Sequence, residues 1–443
     1  MQRGPGELRV DVASAGREMH AFITPLYPLC RSITGNGVRQ TLKEIGAQIP
    51  LEIREVATGT RVLDWTVPRE WNIRDAWVKN RQGERIIDFQ QSNLHVVGYS
   101  QPIRQHMRGR DLQSHVFTLP DRPDWVPYRT SYYDETWGFC LAHRDLSRLA
   151  MEEEYDVCID ASLGDGHLTY GECLLPGHTS DEVLISCHVC HPSLANDNLS
   201  GIAVATFLAR LLAAHPRRYS YRFLFIPGTI GAITWLALNE AGVARIKHGL
   251  VLTGVGDAGG LGYKRSRRGN TEIDRTVSHV LGHMSGEHPI IDFYPYGYDE
   301  RQFCSPGFDL PVGCLMRTPH GRYPEYHTSG DDLRFVRPDK LGETLAALAT
   351  IVSVLEGNRW YVNTHPKGEP QLGRRGLYRA IGGDMDRRSA ELALLWVLSF
   401  GDGRHSLLDI ATRSGLEFAT LRHAADRLLE HGLLAESGPP VAA

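Results

Sequence analysis

His188-Val-Cys-His191-Pro-Ser-Leu-Ala-Asn-Asp197-Asn-Leu-Ser-Gly201 joins two segments of different periodicity. Before it, Glu182-Val-Leu-Ile-Ser-Cys187 is an apolar run of strand length, the pattern of a strand buried on both faces. After it, Ile202-Ala-Val-Ala-Thr-Phe-Leu-Ala-Arg-Leu-Leu212 repeats its apolar residues at helical spacing. A histidine leaving a strand, with an aspartate nine residues later at the mouth of a helix, can bring two metal ligands together. Zinc accepts both imidazole nitrogen and carboxylate oxygen. The pair alone is a weak signal. Asp257, after the apolar stretch Leu250–Val255, and His327, in Tyr-His-Thr-Ser, offer the remainder of a ligand set, and His191 offers an extra ligand. Each carboxylate also has a structural role open to it: Asp197 as an N-cap, Asp257 in an Asx turn.

Asp197-Asn-Leu-Ser-Gly201 and Tyr326-His327 resemble the Asp-x-x-Ser-Gly signature and the final ligand of zinc aminopeptidases with co-catalytic metals. The chain is more similar still to an aminopeptidase-like subgroup with a nested second domain and a C-terminal winged helix. That similarity runs through Leu29-Cys-Arg-Ser-Ile-Thr-Gly35, Asp64-Trp-Thr-Val-Pro68, Ser92-Asn-Leu-His-Val-Val-Gly-Tyr-Ser100, Tyr263-Lys-Arg-Ser-Arg-Arg-Gly269 and Gln371-Leu-Gly-Arg-Arg-Gly-Leu-Tyr378. The resemblance implies zinc, one ion or two, bridged by Asp197 and completed by His188, Asp257 and His327. It implies a tyrosine, Tyr326, that donates to an oxyanion, and a substrate pocket near Asp299 and Glu300. Arg265 and Arg268, in the basic run after the Asp257 strand, are candidates for holding a substrate carboxylate or phosphate.

One position departs from the pattern. The strand Tyr221-Arg-Phe-Leu-Phe-Ile226 ends in Pro227-Gly228-Thr229-Ile230-Gly231. Classical two-metal members carry the general-base glutamate at 228 and a metal-ligand glutamate at 229, whereas the more similar subgroup reads Pro-Glu-Thr-Ile-Gly, keeping the base and losing the ligand. Glycine cannot move a proton, and threonine is not the expected carboxylate. The expected function is a zinc-dependent amidohydrolase acting on a small aminoacyl or N-acyl compound, in a biosynthetic pathway such as similar proteins imply. The alternatives are a hydrolytically impaired metal-binding pseudo-enzyme or partner-binding module, and zinc-assisted aminolysis or cyclisation.

The 443 residues, 42% of them hydrophobic, suffice for two or three domains with real cores. A net charge of −4 gives no global attraction for nucleic acid or anionic membrane. No apolar run reaches membrane-spanning length, and the N-terminus has no apolar h-region. The eight cysteines lie mostly beside apolar runs, which suggests reduced, packed thiols and a cytoplasmic location. Cys187-His-Val-Cys190-His191 also fits the haem-attachment pattern, but packed cysteines beside a ligand histidine read better in a chain of this kind.

Strand-like runs and helices alternate along most of the chain, the signature of a mixed α/β sheet. The fold expected is a three-layer, phosphorylase/hydrolase-like domain of the zinc-aminopeptidase kind, from residues 1–54 and 136–365. Short strands and turns between 55 and 135 read as a nested, mostly β domain. The strand Tyr155–Ile159 is placed in the main sheet. After the linker Thr364–Pro370, residues 366–443 read as a winged helix-turn-helix, with Ser406 capping the helix that carries Asp409. From Pro366 to Ala443 ten Lys/Arg stand against ten Asp/Glu, and Arg422 and Arg427 share their helix with Asp426 and Glu430. This charge balance argues against DNA binding. A protein partner or self-association through this domain is the expectation.

Overall fold

The structure, a computed structural model, describes residues 8–377 and 385–439. The first seven residues, part of the N-terminus read above, and Tyr378 lie outside the described residues. The chain divides into two compact units. The larger comprises Val10–Thr271 and Glu287–Ala346; the smaller takes Glu272–Gly286 and the chain from Ala347 onward.

The larger unit is built on eight strands: β1 Glu52–Ala57, β2 His167–Leu175, β3 Glu182–His188, β4 Ser220–Ile226, β5 Ile246–Leu252, β6 Gly262–Lys264, β7 Ile290–Ile291 and β8 Val312–Met316. Their order in the sheet is β1-β2-β4-β3-β5-β8-β6-β7. The central four, β4, β3, β5 and β8, are parallel. Every residue of β3 and β4 is buried, as expected of parallel strands covered on both faces. Helices α1 (Val12–Ile23), α2 (Asn36–Gly46), α3 (Gly201–Ala213) and α4 (Ile230–Asn239) accompany this sheet. α3 is buried over nearly its whole surface, which explains why its sequence is apolar almost throughout rather than on one stripe.

One charged residue interrupts β4. Arg222 reaches Glu182 on β3 through Nε and Nη2, at 2.6 and 2.8 Å, and pairs with Glu172 on β2. Arg245 also reaches Glu182, at 3.0 Å, so two arginines balance two glutamates, the condition under which ions are tolerated in a core.

The nested block has its own four-stranded antiparallel sheet, ordered Arg85–Asp88, Glu70–Lys79, Glu154–Gly164, Ile103–Arg108. This corrects two expectations. Tyr155–Ile159 belongs to the small sheet, so the block extends well past residue 135. Tyr155, Val157 and Ile159 face the small core while Asp156 and Asp160 point outward. That alternation marks a strand with one wet face. Residues 52–57, on the other boundary, form the edge strand β1 of the main sheet, paired with β2.

The smaller unit contains α5 (Met385–Phe400), α6 (Leu407–Ser414) and α7 (Phe418–Glu430) with a three-stranded sheet, ordered Asp402–Ser406, Trp360–Asn363, Leu434–Ser437. The central strand precedes the expected boundary at 366, so the module starts about one strand earlier. Ser406 and Asp409 form the expected capping box, and Gly415 ends α6 at φ 69°. The helix Glu272–His283 also belongs here: Arg275 pairs with Asp409, and His279 Nε2 accepts the Phe418 N–H.

None of the eight cysteines is in a disulfide, and all but Cys30 are buried. Among the described residues no helix is long and apolar enough to cross a membrane.

Candidate metal centre

His188 is the last residue of β3, at the carboxyl end of the parallel strands, where α/β sheets place their sites. The chain beyond it is held by side chains from distant segments. Buried Arg31 donates from Nε to the His191 carbonyl at 2.7 Å and from Nη2 to the Pro192 carbonyl at 2.9 Å. Asn93 accepts the Ser193 N–H. These two residues come from the phrases around Leu29 and Ser92, and through them both stretches clamp the loop between the two candidate ligands.

Asp197 follows, and its backbone is fixed by Asp331. One Asp331 oxygen accepts the Asn196 N–H at 2.5 Å, and the other accepts the Asp197 N–H at 2.9 Å. Burial pushes the Asp331 carboxyl up to about 8. Asn198 links the same turn to the end of β5, donating to the Leu252 carbonyl at 2.9 Å. The Asp197–Asn198 peptide is cis.

Three imidazoles surround the Asp197 carboxylate. His188 Nε2 lies 2.7 Å from Oδ1, His327 Nε2 lies 3.0 Å from Oδ2, and His191 Nε2 lies 3.8 Å from Oδ2. Ligand atoms of His188, His191 and Asp197 all fall within 4.8 Å of one another. Two ligands at the usual zinc distance and tetrahedral angle sit about 3.3 Å apart, and the observed separations bracket that value. The donors therefore fit zinc. Burial alone would raise the Asp197 carboxyl, but the imidazoles of His191, His188 and His327 around it hold it well below the usual range. Burial lowers His191 to about 3, keeping a neutral ring whose lone pair can serve a metal.

Asp257 does not join this cluster. Its Oδ1 accepts from Thr318 Oγ1 at 2.7 Å and from the Gly259 N–H at 2.8 Å; its Oδ2 accepts from Asn196 Nδ2 at 3.1 Å and the Thr318 N–H at 3.2 Å. The Gly259 contact, two residues on, is the Asx turn. Both oxygens are hydrogen-bonded, and through Asn196 Asp257 supports the ligand loop.

Gly228 borders the site. Its N–H donates to Cys190 Sγ at 3.2 Å. A Cβ at this position would meet Cys190 Sγ at 3.5 Å and His188 Cβ at 3.7 Å, ordinary contacts. The positive φ lies at the next residue: Thr229 has φ 61° and ψ −72°, and the Ile230 N–H closes a three-residue turn onto the Gly228 carbonyl at 2.8 Å. Asp299 Oδ1 accepts the Thr229 N–H at 2.6 Å, and burial pushes the Asp299 carboxyl up to about 6. Cys190 is packed behind the His191 ring, its thiol raised to about 12 by burial.

Tyrosines wall the site. Tyr326 stacks on His327 at 4.0 Å between ring centres, and Tyr298 stacks on His188 at 4.4 Å. Their hydroxyls are 3.2 Å apart. Tyr128, from the nested block, meets His191 and His327 edge-on. Burial keeps all three phenols well above their ordinary range, hence protonated donors. Of these, Tyr326 is readable from its place before His327; Tyr128, Tyr298 and Asp331 carry no local motif. Nor does His320, whose two ring nitrogens are shielded from solvent and lack hydrogen-bond partners beside Tyr298.

The other proposed substrate contacts fall elsewhere. Glu300 is fully buried and ion-paired with buried Lys264. Arg265 pairs with Asp292 and Arg268 with Asp309, both on the surface. Like most charge runs, these arginines are satisfied by nearby carboxylates.

Comparison with known proteins agrees with this architecture. The model of a domain of unknown function, DUF4910, matches residues 20–358, and a winged helix-turn-helix model matches residues 359–436. A Clostridium acetobutylicum protein, provisionally assigned to polysaccharide biosynthesis and bearing an aminopeptidase-like domain, is 50% identical over 422 residues, 95% of this chain and 97% of that protein. The crystal structure of a provisionally assigned C. acetobutylicum peptidase superposes with a TM-score of 0.92 at 48% identity, covering 96% of this chain and 98% of that one. BSAP, a zinc aminopeptidase from Bacillus subtilis, superposes with a TM-score of 0.57 at 14% identity over 78% of this chain and 95% of that one, which shows a common fold. The chain belongs to the DUF4910 family: an aminopeptidase-like domain of the zinc-aminopeptidase fold, followed by a winged helix-turn-helix.

Proposed function

We propose that this protein is a zinc-dependent amidohydrolase for a small aminoacyl or N-acyl compound, with a single ion held by His188, His191, Asp197 and His327. The convergence of three imidazoles on one carboxylate carries this reading. Zinc bound there would polarise the scissile carbonyl and acidify a water. The chain's own groups supply the rest. Asp197 orients the rings, Asp331 fixes Asp197, and the hydroxyls of Tyr298 and Tyr326 can donate to the oxygen that gains charge as the carbonyl is attacked. Enclosure by Tyr128, Tyr298 and Tyr326 favours a small substrate over an open polypeptide. The C. acetobutylicum relative supports a place in a biosynthetic pathway. Buried cysteines outside any disulfide support a reducing cytoplasm, which cell fractionation checks.

The test is metal analysis of the purified protein together with turnover on a panel of aminoacyl and N-acyl amides. About one zinc per chain and hydrolysis of at least one panel member are expected. Protein that takes up no divalent metal would sink the reading. Gly228 favours a second reading, a metal-binding module without hydrolytic activity. Full metal loading with binding but no turnover, even after a carboxylate is restored at 228, would select it.

The C-terminal module is proposed to contact protein or a second copy of this chain rather than DNA. Arg422 is engaged by Asp426 at 2.9 Å and by the Gly357 carbonyl at 3.1 Å, leaving little charge for phosphate. Duplex DNA should bind more weakly than micromolar at physiological salt. Sub-micromolar binding that disappears on changing Arg422 and Arg427 would overturn this.

A further inference from the structure

We propose that Asp299 carries the proton that residue 228 cannot, acting as the general base and then the general acid of the hydrolysis; this rests on the amidohydrolase reading above. The Thr229 nitrogen lies about 2.4 Å from the Gly228 Cα, and Asp299 Oδ1 is 2.6 Å from that nitrogen. Asp299 Oδ1 is therefore no more than about 5 Å from the Gly228 Cα, close to the reach of a glutamate at 228, whose own carboxyl carbon lies roughly 4 Å from its Cα. A carboxylate thus stands beside position 228, supplied from another part of the chain.

Its attachment suits proton transfer. Oδ1 is fixed by the Thr229 N–H, in the turn with φ 61°. Oδ2 has no hydrogen-bond partner among the described residues and is not among the polar atoms shut off from solvent. The residue as a whole is 2% exposed. Tyr298, immediately before it, is stacked on His188, so the 298–299 pair lies against both the metal centre and the residue-228 turn. Glu300 is committed to Lys264, and His320 makes no contact with the 228–230 turn that the structure records. Burial also moves the Asp299 carboxyl toward neutrality, the range in which a group can both take and return a proton.

The step balances without a further reactant. A water O–H bond breaks and its proton passes to Asp299 Oδ2 while the water oxygen bonds to the amide carbon. The carbon–nitrogen bond then breaks as Asp299 returns that proton to the departing nitrogen. The products are a carboxylic acid and an amine.

Asp299→Asn keeps the Oδ1 acceptor for Thr229 and removes the base. In the full-length, zinc-loaded protein it should lower kcat on the amide panel about 10²-fold, with KM and zinc content within about twofold of the parent. His320→Gln should leave kcat within a few-fold. A loss with His320→Gln and none with Asp299→Asn would overturn the proposal. A crystal structure of the zinc-loaded parent with acetohydroxamate gives a readout independent of turnover. Asp299 Oδ2 within hydrogen-bonding distance of the bound hydroxamate is expected. Bound hydroxamate with that carboxylate well out of reach overturns Asp299 alone. Absence of bound zinc and hydroxamate overturns the amidohydrolase reading, and the inference falls with it.

Discussion

Gly228→Glu should raise amide turnover about 10²-fold in the parent chain and up to about 10⁴-fold where Asp299 has first been changed to Asn, the range a positioned general base supplies. The two figures differ because Asp299, if it already carries the proton, leaves less for a new carboxylate to add. The local structure permits the change. Gly228 is not a positive-φ position, and its Cβ would touch Cys190 Sγ and His188 Cβ at ordinary distances of 3.5 and 3.7 Å. The direction of that Cβ, toward His188, puts the longer side chain on the metal side of the loop. The left-handed backbone of this turn belongs to Thr229, where a side chain is already present, and places no demand on residue 228. The measurement is steady-state turnover on a panel amide that the parent is shown to bind, with zinc content and thermal unfolding recorded alongside. A folded, zinc-loaded Gly228→Glu protein with no gain in either background refutes the account of residue 228.

Asp197→Ala should remove stoichiometric zinc, weakening binding by more than about 10²-fold. Asp197 is the one carboxylate in the cluster, and His188 and His327 orient toward its two oxygens. Without it, three imidazoles remain, with no anion to offset the charge of the ion and nothing to hold their nitrogens in register. The backbone of the loop should survive, because Asp331 grips the N–H groups of residues 196 and 197 and not the Asp197 side chain. The contrast lies with Asp257→Ala. That carboxylate is spent on Thr318, Gly259 and Asn196, so its loss should reduce stability and leave zinc bound. Zinc binding to the native state alone adds about 2.7 kcal/mol of stability at a free concentration 100 times Kd. Added zinc should therefore raise the Tm of the parent and of Asp257→Ala, and leave Asp197→Ala unmoved. Equal zinc content in Asp197→Ala and the parent would place the metal elsewhere.

The sequence alone determined those features that depend on short-range pattern. An apolar run, a histidine, an aspartate nine residues on and a helical repeat specify β3, the ligand turn and α3, because periodicity and strand-to-helix geometry act over a few residues. The winged helix was legible for the same reason: the Ser406–Asp409 capping box and Gly415 are local signals. The departure at Gly228 was legible as a missing functional group. Tertiary structure decided what depends on pairing between distant segments. Glu154–Gly164 joins the small sheet and Trp360–Asn363 joins the winged helix because of partners that lie far away in sequence, and a short strand does not announce its partner. The choice between ligand and support was likewise three-dimensional. Asp257 and His191 are a carboxylate and an imidazole of equal promise on paper. Only packing gives Asp257 to Thr318 and an Asx turn, and turns His191 toward Asp197. Asp331 was silent for the same physical reason, and Arg31, inside the phrase at Leu29–Gly35, and Asp299, expected near a substrate pocket, did not show which atoms they would engage. A buried polar group gains its role from the atoms that satisfy it, and those atoms are brought to it by the fold.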